Sequence, residues 1–95
     1  MITHVVLFKL TDNSAKNMET AVSTLRSLDG QVPTLKSIEV GTDLVHSERS
    51  YDIALLTRFE DMDGYKTYAA HPNHLPVLDY MRSVILSAVS VDFES

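Results

Sequence analysis

The chain opens on Ile2-Thr3-His4-Val5-Val6-Leu7-Phe8-Lys9-Leu10, a run rich in β-branched and aromatic residues that predicts a strand. Side chains alternate across a strand, so Ile2, Val6, Phe8 and Leu10 share one side with His4, and Val5 and Leu7 take the other. Met18, Ala21, Val22, Leu25 and Leu28 recur at helical spacing, which predicts an amphipathic helix over about residues 14–29. Thr11-Asp12-Asn13-Ser14 supplies candidate N-caps, and Gly30 and Pro33 end the helix. A weaker strand follows over Lys36–Thr42, then a polar loop over Asp43–Ser50. Tyr51–Phe59 is a further strand, with Tyr51, Ile53, Leu55 and Phe59 on one side and Ala54 and Leu56 on the other, beside Asp52 and Arg58. Asp61 caps a short helix to about Ala70, which Pro72 stops from continuing. His71–Leu75 is predicted to turn, with a last helix starting near Pro76 and running through Leu78, Tyr80 and Met81. In the closing strand, Ile85, Ser87, Val89, Val91 and Phe93 alternate against Leu86, Ala88, Ser90 and Asp92.

This order predicts an α+β domain over residues 1–95, a ferredoxin-like four-stranded antiparallel sheet with helices on one face. The helices can cover only that face. Yet the first, third and fourth strands carry apolar residues on both sides, where a sheet with a wet face alternates cleanly. A monomer rarely tolerates so large an apolar patch, so the expected partner is a second copy, docked sheet to sheet about a two-fold axis.

Composition narrows the partners further. Hydrophobic residues make up 44% and charged residues 22%, which is globular rather than disordered material. Thirteen acidic against eight basic side chains give a net charge of −5, against both a nucleic-acid partner and an anionic membrane surface. Without cysteine there is no disulfide, thiolate metal site or thiol nucleophile. No basic leader or long apolar span is visible, so a cytoplasmic protein is expected.

The candidate chemistry gathers in Tyr68-Ala69-Ala70-His71-Pro72-Asn73-His74. A neutral imidazole such as His74 takes a proton near physiological pH. A phenol such as Tyr68 hydrogen-bonds a carbonyl oxygen as charge develops on it. Enolisation and aldol reactions need that pairing. The competing reading has His74 cap a helix or satisfy carbonyls at the helix junction. His71 is either a second polar group of the same pocket or a turn residue bonding the following backbone. His4, on an apolar strand face, is either a satisfied core histidine or the polar wall of a cavity. Tyr65, one turn before Tyr68, is a second pocket phenol or a packing residue, and Phe8 is a core residue that also fits a pocket wall. His71 and His74, with Asp79 or His4 as a third group, match no metalloenzyme spacing, and neither metal nor cofactor is expected. Paired catalytic carboxylates, a Gly-rich phosphate loop and a nucleophile elbow are all missing.

His4–Lys9, Gly30–Pro33, Ile38–Gly41, Tyr51–Leu55, the Tyr-x-x-His-Pro-x-His stretch and Val91–Glu94 together resemble the stress-responsive α/β-barrel domain family, the dimeric alpha-beta barrel group. The resemblance runs through nearly the whole chain, and Tyr-x-x-His-Pro-x-His is its most specific part. It implies two ferredoxin-like units whose sheets join into a barrel. One plant member closes a linear polyketide by aldol condensation. Its catalytic Tyr and His fall at Tyr68 and His74 here, and its pocket His at His4. The resemblance thus implies proton transfer or cyclisation on a small hydrophobic carbonyl compound. The alternative is a non-enzymatic ligand-binding or stress-related scaffold dimer.

Overall fold

Strand β1 (Ile2–Leu10), apolar on both sides, is one of the two interior strands of the sheet. It pairs antiparallel with β3 (Ile53–Phe59) on one side and β4 (Ile85–Glu94) on the other, and β2 (Ser37–Thr42) completes the order β2-β3-β1-β4. The computed structural model describes all residues 1–95. The register sets His4 opposite both Thr57 and Asp92, and Phe8 opposite Ile53 and Ala88. These are the strand order and pairing of a ferredoxin-like sheet, as the element order predicts.

Helices α1 (Ala15–Arg26), α2 (Met62–Ala69) and α3 (Leu75–Val84) are started by local chemistry. The Ser14 side chain accepts from the Asn17 amide, and Asp61 accepts from the Gly64 amide at 2.8 Å. α1 ends at Arg26, short of the predicted boundary. Leu28 is nonetheless 1% exposed, because the turn that follows, with Gly30 at φ 76°, folds it back under the sheet. α3 begins at Leu75, with Pro76 inside its first turn where no amide is missed.

The core lies between the helices and one sheet face. Phe8, Leu10, Leu25, Ile53, Leu55 and Phe59 are all buried there. Two strand details depart from simple alternation. A bulge in β4 leaves Leu86 unpaired, since Leu10 faces Ile85 and Lys9 faces Ser87. Ile85 therefore joins Ala88, Ser90 and Asp92 on the helix side, while Val89, Val91 and Phe93 lie on the open side. Asp52 sits at a bend just before β3 and not on the open face. Its buried carboxylate accepts from the Leu10 amide at 2.7 Å and from the Asn13 side chain at 3.1 Å, tying the start of β3 to the end of β1.

Candidate active site

Phe59 decides where the two tyrosines of α2 go. It ends β3 fully buried, its ring 5.7 Å from Tyr65 in an edge-on contact and 5.0 Å from Tyr68, between centroids. Tyr65 and Tyr68 are three residues apart and so share a helix face. The aromatic contacts continue from Tyr65 to His4 on β1 at 5.0 Å, and from Tyr68 to His74 at 4.3 Å with planes 36° apart. Two phenols and two imidazoles thus stand around one space.

That space is a cavity of about 350 Å³ between the helices and the sheet. Thirteen of its sixteen lining residues are hydrophobic, and the three exceptions are His4, His74 and Arg82, so its chemistry is confined to a few groups in an apolar wall. Leu25, Leu28, Tyr68 and Met81, each at most 2% exposed, form the inner wall. Exposed Arg82 and Ala88 mark the mouth, between α3 and β4.

His74 follows the turn that Pro72 imposes. Its Nδ1 lies 3.1 Å from the Ala69 carbonyl oxygen. A carbonyl only accepts, so Nδ1 carries the hydrogen and Nε2 of the neutral ring keeps a free lone pair. Burial holds His74 below the ordinary histidine value of 6.5, assisted by His4 and His71, while the Ala69 hydrogen bond acts the other way. The ring is therefore neutral at pH 7 and able to accept a proton. His74 thus satisfies a helix-end carbonyl through Nδ1 and is also among the residues lining the cavity.

Tyr68 is the complementary group. Burial, with a smaller contribution from Tyr65, pushes its hydroxyl up to about 12, so it stays a donor throughout the physiological range. No polar side-chain atom is sealed away without a partner, and the Tyr68 hydroxyl has none within the chain, so it opens on the cavity. Tyr65 is raised too, first by burial and then by the negative charge of Asp92.

His4 is held from the edge strand. Its Nδ1 hydrogen-bonds the Asp92 carboxylate, which leaves Nε2 free. His4, Phe8, Tyr65, Tyr68 and His74 all line the cavity. His71 does not; its Nδ1 accepts from the Asn73 amide at 3.1 Å, and Asn73 donates to the Gln31 carbonyl at 2.9 Å, so His71 shapes the turn that delivers His74. Asp92 and Arg82 were not singled out by sequence reasoning. Asp92 becomes visible only once β4 is registered against β1, where an acidic residue stands opposite His4. No three His, Asp or Glu side chains converge as a metal site would require.

The four-stranded antiparallel sheet with three helices on one face, and the order β2-β3-β1-β4, define a ferredoxin-like α+β domain. The chain belongs to the stress responsive A/B barrel domain family, whose model matches residues 2–95. It is 34% identical over 77 residues to an uncharacterized protein of Streptomyces coelicolor, covering 78% of this chain and 79% of that one. It is 28% identical over 93 residues to a stress-response A/B barrel domain-containing protein of Arabidopsis thaliana, covering 95% and 82% respectively. Among solved structures, a dimeric ferredoxin-like protein of unknown function from Thermobifida fusca superposes with a TM-score of 0.86 at 28% identity, covering 99% of this chain and 90% of that one.

Proposed function

We propose that this protein is a homodimeric proton-transfer catalyst acting on a small hydrophobic carbonyl compound held in the cavity. The observation that carries the reading is the pairing of His74, half-buried and neutral with Nε2 free, against the ring of Tyr68, a phenol that stays protonated. In the reaction, His74 Nε2 takes a proton from the carbon next to the carbonyl. The C–H electron pair becomes the new C=C bond, and the carbonyl π pair moves onto oxygen, where the Tyr68 hydroxyl stabilises it. If the same molecule carries a second carbonyl, the enolate carbon attacks it. A C–C bond forms, and the new alkoxide recovers the proton from His74. His4, oriented by Asp92, and Tyr65 supply further polar contacts at the same wall.

The second copy covers the open sheet face. Val89, Val91 and Phe93 are 45%, 57% and 47% exposed in a single subunit, more apolar surface than a lone domain of this size leaves wet. The Thermobifida fusca relative described as dimeric supports the assembly.

The test is exchange of α-hydrogens of nonan-2-one in deuterated water, followed by NMR. The protein should accelerate exchange, His74→Gln should lower the rate by about 10²–10⁴, and Tyr68→Phe by about 10²–10³. The apolar wall also suits a non-catalytic ligand-binding dimer. Ketone binding with exchange at the uncatalysed rate would establish that alternative and end the catalytic reading.

A further inference from the structure

The mouth of the cavity is chemically unlike its interior. Arg82, in the last turn of α3, is the one permanently charged side chain among the lining residues. It is exposed, and the chain's three ion pairs, His4–Asp92, His46–Asp43 and Arg58–Glu39, leave it out. Asp79, three residues earlier on α3, makes no ion pair with it, and Asp92 on β4 is already engaged by His4. In a chain of net charge −5, an unpaired guanidinium at the rim of an apolar cavity stands out. A cation is also favoured at a helix C-terminus whatever binds nearby. That explanation accounts for Arg82 being basic, but not for its lining the cavity.

We propose that Arg82 selects ligands with an acidic head group, so that the cavity takes amphipathic carboxylates. The apolar body lies against the inner wall of Leu25, Leu28 and Met81, and the carboxylate meets the guanidinium at the mouth. Guanidinium and carboxylate form paired, charge-assisted hydrogen bonds, which a neutral ester or ketone cannot match. A cavity of 350 Å³ accommodates roughly ten non-hydrogen atoms at about 30 Å³ each, the size of a medium-chain acid. The inference deepens the enolisation reading by naming the substrate class as carbonyl compounds that carry a carboxylate.

Calorimetric titration of the full-length protein with octanoate, methyl octanoate and nonan-2-one tests it. Octanoate should bind about tenfold more tightly than its methyl ester. Arg82→Gln should remove that preference while leaving affinity for nonan-2-one within about twofold, and Arg82→Lys should keep part of it. Circular dichroism and a thermal melt confirm that the variants fold, which the exposed position favours. Equal affinity for acid and ester in the unmodified protein, or an Arg82→Gln variant that keeps the preference, overturns the inference. So does a variant that weakens acid and ketone alike. The two ideas fail separately. Octanoate selection by Arg82 without α-hydrogen exchange of nonan-2-one removes the catalytic reading alone. Exchange of the ketone without octanoate selection removes the carboxylate assignment alone.

Discussion

The two faces of the sheet are built from similar residues and have different surroundings. On the helix side, Phe8, Ile53, Leu55 and Phe59 are at most 8% exposed, and where the packing is incomplete it leaves a cavity ringed by His4, Tyr65, Tyr68 and His74. On the other side, Val5, Leu7, Ala54 and Leu56 join Val89, Val91 and Phe93 with no helix above them. The polar groups also differ. Those ringing the interior of the cavity on the covered face are aromatic and close to one another, each with a ring neighbour or an anchoring hydrogen bond. On the open face Arg58 of β3 reaches diagonally to Glu39 of β2 at 3.8 Å, an exposed pair of little energetic weight. Apolar burial is non-directional, so similar hydrophobicity suits a ligand cavity or a subunit contact equally; the placement of polar groups separates the two roles.

Substitutions on each face should separate accordingly. The largest effect belongs to Phe59→Ala on the covered face. Losing a fully buried ring costs about 3–5 kcal/mol, read by denaturant unfolding, and frees Tyr65 and Tyr68 from the contact that positions them. Val91→Asp on the open face should leave the subunit folded. It sets an unpaired charge in the apolar face proposed to meet the second copy, weakening the dimer by roughly a hundredfold or more, which sedimentation velocity measures. A Val91→Asp protein that remains fully dimeric would remove the open face from the interface. Asp92→Asn is the smallest change. It keeps the hydrogen bond to His4 but loses its charge, and it should lower α-hydrogen exchange by about tenfold with little effect on stability.

Much of this was legible in the chain because the elements obey local rules. β-branched runs marked β1 and β3, Asp61 marked the start of α2, and Pro72 with Pro76 marked the turn that delivers His74. The lack of a clean polar side on β1 was the sequence signal for a second apolar face. The misses are non-local. Apolar spacing through Leu28 extends the α1 pattern beyond Arg26, because a folded-back turn buries a leucine as well as a helix does. The bulge at Leu86 depends on how β4 pairs with β1, which alternation along β4 alone cannot report. Asp92 reaches His4 through strand register, and Arg82 reaches the cavity mouth through the rotation of α3 against the sheet. His71 sat inside the most informative motif, but its ring is turned to the Asn73 amide.

His74 also ties the site to stability. Because its folded value is lowered, the unfolded chain takes up the proton first as pH falls below 6.5. Its contribution is therefore nil well above that pH; the destabilisation grows as pH falls from 6.5 to the lower folded value and persists in full below it. The most direct test of the account is a nitrogen-15 NMR titration of the His74 ring in the intact protein. The account predicts hydrogen on Nδ1, a lone pair on Nε2 and a midpoint below 6.5. A ring carrying hydrogen on Nε2, or one titrating at or above 6.5, would contradict it.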